Sequence, residues 1–259
     1  MNAPNVKILV TCRDREILRG STLVFDSLRV GYPTAHVTVY LNNIQDKSCE
    51  HEIREACEKA EVDSVIEIKN STIHHVWMET LVMTEDEPFI CLDTDIIFWD
   101  NCEEWVFHKP VAGRLIPEFW DDFTNCITRP RLHGSHLWVR PKEVRELIES
   151  YRKQFPVTPF NPGANLFYPI YLPFKFKGKT INFFHDTACL LYQAFGGDAF
   201  EEKHLNCFDH LNAGTISDLV APRLPDVRLR EAHFAIFENP SLARGAWRMQ
   251  DKYYQMKKV

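Results

Sequence analysis

The 259-residue sequence predicts an α/β fold in which a mostly parallel sheet is flanked by helices. Three observations carry this expectation. Short apolar runs of strand length alternate with amphipathic runs of helix length through the first hundred residues. The connections are long enough for crossover helices, which implies parallel pairing with right-handed crossovers. An unbroken apolar run, Phe89-Ile90-Cys91-Leu92, reads as a strand buried on both faces.

The elements follow in order. Val6 to Val10 is the first strand, and Arg15 to Leu28 places Ile17, Leu18, Leu23, Val24 and Leu28 on one face of a helix. His36 to Leu41 is the second strand. Asn42-Asn43 breaks it, and Lys47 to Ala60 is a charged helix with Ile53, Ala56, Cys57 and Ala60 inward. Ser64 to Ile68 is the third strand. Ser71 or Thr72 is expected to cap a helix running to about Glu85, and Pro88 stops it before the Phe89 strand. Beyond Asp100 the rhythm is less regular. Val111 to Ile116 and Leu132 to Val139 read as strands, Pro141 to Tyr151 as a helix with Pro at its start, and Asp186 to Phe195 as a helix ended by Gly196-Gly197. With no internal repeat, low-complexity tract or clear linker, the chain reads as one domain, residues 1–259, with functional halves 1–100 and 101–259.

Composition narrows the class. Thirty Lys and Arg against 36 Asp and Glu give a net charge of -6, which supplies no global attraction for nucleic acid or an anionic membrane. The opening run before Val10 is too short and poorly flanked for a signal peptide, and no apolar run approaches a membrane span. Eight scattered cysteines without a C-x-x-C pair argue for reduced thiols, so a cytoplasmic setting is expected.

The most informative segment is Asp93-Thr94-Asp95, lying between Leu92 and Ile96-Ile97-Phe98-Trp99. With sixteen Asp in the chain, about one Asp-x-Asp is expected by chance, so the argument lies in the strand context. In an extended segment the two side chains share a face, roughly 7 Å apart along the strand. Ionised carboxylates among Leu, Ile, Phe and Trp repel and lose hydration unless a cation compensates them, and a hard divalent ion does so directly. In open parallel sheets ligands gather at the carboxyl ends of strands, where this pair falls. Thr11, Cys12 and Arg13 leave the first strand at the same kind of end, where a hydroxyl or backbone amide can meet a base or ribose and Arg13 a phosphate. Asp14 is equally suited to capping the next helix. His74-His75 begin the helix before the acidic strand; adjacent residues cannot share a helix face, so one of the two, here His75, is the candidate toward a ligand.

This layout resembles the GT-A-type, metal-dependent (Asp-x-Asp) nucleotide-sugar glycosyltransferases: a Rossmann-like first half, a helix directly before a buried strand, and Asp-x-Asp at its end. Arg131-Leu132-His133-Gly134-Ser135-His136-Leu137-Trp138-Val139-Arg140-Pro141 resembles the strand that follows the motif in such enzymes. His185-Asp186-Thr187 sits where the family often places an acceptor-side acid or base. Ala232-His233-Phe234, followed by Ser241 to Trp247, is similar to the closing His-containing segment that completes the metal site in several members. The resemblance implies a GT-A-like fold and transfer from a nucleoside-diphosphate sugar, UDP-linked for example. It implies Mn2+ or Mg2+ on Asp93 and Asp95 with His233 as third ligand, Thr94 beside them at the donor, and Asp186 as catalytic base if the reaction inverts configuration. An imidazole ligand favours Mn2+ over Mg2+. His210, in Phe208-Asp209-His210-Leu211, competes with His233.

The acceptor is less constrained. Tyr171 to Lys179 interleaves aromatics with three lysines, a pattern of either a stacking, anion-holding surface or a strand alternating core Phe with exposed Lys. Arg244, Arg248 and Lys252 pose the same choice, and Trp120 beside Glu118, Asp121 and Asp122 could stack on a sugar or form a solvated rim. Glycan, protein, small-molecule and modified-DNA acceptors all fit. Two rival classes share features. A haloacid-dehalogenase-type phosphatase also uses Asp-x-Asp, but on its first strand and with Thr or Val where this chain has Ile97; a non-catalytic nucleotide-sugar-binding protein would share the fold without turnover.

Overall fold

The computed structural model describes residues 3–121, 125–155, 166–167, 170–176, 179–185, 187–211 and 239–259. Its strands are β1 (Asn5–Val10), β2 (His36–Asn42), β3 (Ser64–Ile68), β4 (Phe89–Leu92), β5 (Ile96–Phe98), β6 (Val111–Ile116), β7 (Phe119–Asp121), β8 (Cys126–Thr128), β9 (Arg131–Val139), β10 (Ile170–Phe176), β11 (Lys179–His185), β12 (Asp198–Ala199) and β13 (Phe208–His210). The helices are α1 (Leu18–Thr22), α2 (Leu28–Gly31), α3 (Lys47–Lys59), α4 (His74–Thr84), α5 (Pro141–Gln154), α6 (Cys189–Phe195), α7 (Glu202–Leu205) and α8 (Ala246–Met256). A seven-stranded, mainly parallel sheet has the order β12-β6-β9-β4-β1-β2-β3, which is the α/β class the sequence predicts. Smaller sheets are β10-β11-β8-β7 and the two-stranded β13-β5.

Burial explains the order. Every residue of β4 is buried, as a strand covered on both faces requires, whereas β3 at the end of the order is largely exposed. The chain forms two compact units, one of residues 1–72, 92–105 and 201–247 and the other of 73–91, 106–200 and 248–259. In the first, β1 pairs in parallel with β2 and β2 with β3. Val6, Ile8, Val37 and Val39 are fully buried, as are Cys49 and Ile53 on the inner face of α3. Asp46 caps that helix by accepting from the amides of Ser48 and Cys49. In the second, β6 pairs antiparallel with β9 and parallel with β12. Arg145 of α5 donates to the Val82 and Glu85 carbonyls, the first within the last turn of α4 and the second at its C-cap. Among the described residues, no helix is long and apolar enough to cross a membrane.

Three expectations change. Arg15 to Leu28 is a broken succession of 3-10 and α turns rather than one helix. Gly20-Ser21-Thr22 is a run of weak helix formers, and its hydroxyls turn back on the backbone: Ser21 Oγ donates to the carbonyls of Ile17 (3.0 Å) and Thr11 (2.8 Å), and Thr22 Oγ1 to Leu18 (3.1 Å). The Val24 amide then leaves the helical pattern to donate to the Thr94 carbonyl at 2.8 Å. The N-cap of α4 is Ile73, with no side-chain cap, in place of Ser71 or Thr72. Thr72 is held instead by the buried Asn42 amide, which accepts from its N–H and donates to its carbonyl, both at 2.8 Å. Helix α6 starts after Ala188, in a left-handed conformation at φ 59°, so it begins later than Asp186.

Two consequences are measurable. A Cβ on Gly31 would lie 2.4 Å from Cγ of Phe98, a ring packed edge-on to Tyr32 at 5.3 Å and buried from solvent. Gly31→Ala is therefore expected to lower the unfolding free energy by about 1–3 kcal/mol in urea denaturation; an unchanged midpoint would contradict this packing. His204 is buried against Trp105, and its Nδ1 accepts the Glu201 amide at 3.0 Å, which requires the neutral ring. Burial, and next the neighbouring Lys203, lower its pKa below 6.5, and burial does the same for His75. The unfolded chain then binds these protons more readily, so stability is full above about pH 6.5 and falls as pH drops below it. Urea midpoints at pH 7.5 and 5.5 should show that loss, and His204→Gln should reduce it.

Candidate metal centre

The acidic motif sits where β4 ends. Asp93-Thr94-Asp95 is a turn and not the continuous strand its apolar flanks suggest. Both carbonyls after Asp93 are taken by other segments: Thr94 O by the Val24 amide at 2.8 Å, Asp95 O by the Leu211 amide at 2.9 Å. The turn nevertheless brings the carboxylates together. Nε2 of His210 lies 3.1 Å from Asp95 Oδ1 and 3.8 Å from Asp93 Oδ2. One ligating atom from each of the three residues lies within 4.8 Å of the others.

Burial makes this arrangement demanding. Asp95 is 4% exposed and His210 9%, while about a third of the Asp93 side chain reaches solvent. A carboxylate removed from water needs a partner, and the His210 imidazole is one: with Nε2 protonated it donates to Asp95, and with the proton on Nδ1 the Nε2 lone pair is left for a cation. Two carboxylate oxygens and an imidazole nitrogen also form the donor set of a divalent-cation site, with the half-exposed Asp93 marking the side open to solvent. His210 reaches this position because β13 pairs antiparallel with β5, placing His210 opposite Ile96.

The adjacent strand Phe208–His210 carries a second buried acid that the sequence reading passed over. Asp209 Oδ2 accepts from the Trp99 indole at 2.8 Å and the Gly245 amide at 2.7 Å, and Oδ1 from the Trp247 amide at 3.3 Å. Burial pushes its pKa up, and these donors pull against that. Its only sequence signal is an acid between Phe208 and His210, in a strand whose three residues are all buried.

The other expected residues divide clearly. Thr94 is buried and contributes its carbonyl to the turn. Thr11 Oγ1 accepts from the Asn42 amide at 3.2 Å, and Arg13 is exposed. Cys12 is buried, and burial pushes its thiol pKa up to about 12, which keeps the thiol neutral. Asp14 accepts from the Ile17 amide at 3.3 Å, the capping role expected as its alternative. His75 is buried on α4 in the second unit, where Trp77 is core and His74 stacks on Trp77 at 5.8 Å. Glu118 pairs with Arg129, and Asp121 and Phe119 line a cavity of about 420 Å³ with Tyr253 and Tyr254. Asp186, His233 and Asp122 lie outside the described residues.

No protein-family model matches the chain, and no curated protein matches it. Among solved structures it is similar to glycosyltransferases, the class its sequence resembles. The apo-form glycosyltransferase GlyE of Streptococcus pneumoniae shares 12% identity over 96% of this chain and 64% of its own, with a TM-score of 0.43. The bifunctional glycosyltransferase WbbM shares 10% over 56% of this chain, with a TM-score of 0.40. The mannosyltransferase PcManGT of Pyrobaculum calidifontis, solved with GDP-Man and Mn2+, shares 15% over 64% of this chain and 50% of its own, with a TM-score of 0.37. The chain spans 32% of WbbM and less than two thirds of GlyE.

If the three side chains form one cation site, Asp95→Asn and His210→Ala should each weaken Mn2+ binding about tenfold or more in isothermal titration calorimetry, with the far-ultraviolet dichroism retained. Equal affinity in both variants and the wild type would remove the site.

Proposed function

We propose that this chain is a metal-dependent glycosyltransferase that moves a sugar from a nucleoside-diphosphate sugar to an acceptor hydroxyl, in a cytoplasmic setting. The observation that carries the reading is the convergence of Asp93, Asp95 and His210 at the carboxyl end of β4, beside which the sequence resembles the Asp-x-Asp enzymes. Bound there, Mn2+ or Mg2+ would neutralise the charge that grows on a departing nucleoside diphosphate. The proposal gives the third ligand position to His210 in place of His233.

The chain's own groups have separate tasks in this reading. Asp95, buried, is the rigid ligand, fixed through its carbonyl to Leu211; Asp93, partly exposed, faces the donor. Thr11, held by Asn42 and Ser21, and the Cys12 backbone would meet the base or ribose, and Arg13 the phosphates. Residues 1–100 thus supply most of the donor side, with His75 a further candidate there, and residues 101–259 the acceptor side. Asp186 is proposed as the base that removes the acceptor proton in an inverting reaction. A cytoplasmic setting accords with eight cysteines all present as free thiols.

Incubation with a panel of UDP- and GDP-sugars plus Mn2+, with nucleoside-diphosphate release followed by chromatography, tests the reading. Release by the wild type that falls about 100-fold or more in Asp95→Asn is the expected result. Donor binding without release or transfer for any donor and acceptor would make the chain a binding protein instead.

A further inference from the structure

Strand β13 has only three residues, and so short a pairing is marginal unless something outside the ladder holds it. Asp209, at its centre, is 1% exposed and alternates in direction with His210 along the strand. Its carboxylate is one of the most enclosed charges described in the first unit, and it is filled by N–H donors from two other segments. Trp99, the residue after β5, donates its indole at 2.8 Å. The amides of Gly245 and Trp247, at the start of α8, donate at 2.7 and 3.3 Å. Arg244 completes the cluster with its guanidinium 5.4 Å from the centre of the Trp99 ring. On the other side of the same strand, His210 is set by its pairing with Ile96 and by the Leu211 amide on the Asp95 carbonyl. One carboxylate therefore fastens three pieces of chain whose register decides where the His210 ring meets Asp93 and Asp95.

We infer that Asp209 is a positioning residue for the metal centre, and that it couples cation binding to the order of residues 244–247. The inference rests on reading Asp93, Asp95 and His210 as cation ligands. The Asp209 side chain is directed to the opposite face of the strand from the His210 ring and acts by holding β13 against β5 and Trp99. Coupling of this kind is reciprocal: if the fastened segment favours the ligand geometry, cation binding must in turn stabilise the fastening. The amides of Gly245 and Trp247, whose hydrogens point at Asp209, are where that stabilisation would register.

The test uses Mn2+ as the probe on the full chain, with wild type, Asp209→Asn and Trp99→Phe, each first confirmed folded at the assay temperature. Mn2+ affinity is measured by electron paramagnetic resonance, and amide exchange at Gly245 and Trp247 by NMR with and without the ion. Asp209→Asn is expected to bind Mn2+ about tenfold more weakly. Trp99→Phe, which keeps the carboxylate and its amide bonds, should fall between it and the wild type. Mn2+ should slow exchange of both amides in the wild type and do so less in Asp209→Asn. Variants with wild-type Mn2+ affinity and amides indifferent to the ion would overturn the inference while leaving the metal centre standing, even if both variants melt at lower temperature. Should Asp209→Asn fail to fold, wild-type affinity in Trp99→Phe overturns it. Absence of Mn2+ binding by the wild type would remove the metal centre and the inference together.

Discussion

The rest of the arrangement depends on a carboxylate that is almost out of water and has to be compensated. Asp95 is 4% exposed, and the groups set against it include an imidazole 3.1 Å away and a neighbouring acid of the same sign. An isolated buried carboxylate costs several kcal/mol, and a second acid beside it adds to that cost. Without a cation a His210 N–H offsets part of it; a divalent cation would take the place of that proton, with the imidazole nitrogen as its ligand. Burial distinguishes the cluster from an ordinary surface group of acids, which water alone satisfies.

The surrounding chain fixes that carboxylate in place by spending backbone groups on it. The turn that carries it is tied at Thr94 to Val24 and at Asp95 to Leu211, so two separate segments hold three residues. Asn42 does similar work at the neighbouring strand ends, bonding to Thr11 and to both backbone groups of Thr72. These are side-chain and backbone bonds between strand ends distant in sequence. They tie down the residue after β1, the end of β2 and the Asp93–Asp95 turn, fixed positions of the kind a rigid ligand site needs.

Much of the scaffold was legible from apolar spacing. Ser64–Ile68 and Val111–Ile116 were bounded correctly, and the four-residue run before Asp93 announced a strand buried on both faces. The failures share one cause, bonds to residues far away in sequence. The apolar period from Ile17 to Leu28 describes a good helix, yet the Val24 amide goes to Thr94 and the helix breaks. Thr72 looks like a cap, yet Asn42 claims it. The spacing of Asp93 and Asp95 signalled shared chemistry, although a turn and not strand alternation brings them together. The sequence reading put His233 ahead of His210, because the pairing of β13 with β5 that brings His210 to the acids joins residues more than a hundred positions apart. The role of Asp209 was hidden for the same reason: its partners, Trp99, Gly245 and Trp247, give no local pattern.

The most direct measurement of the central claim is an anomalous difference map, recorded at the manganese edge, from crystals of the wild-type chain grown with Mn2+ and UDP. The account predicts a peak within bonding distance of Asp93, Asp95 and His210, with diphosphate oxygens on its open side. A map with no peak there, or with the ion held by other residues, would contradict it.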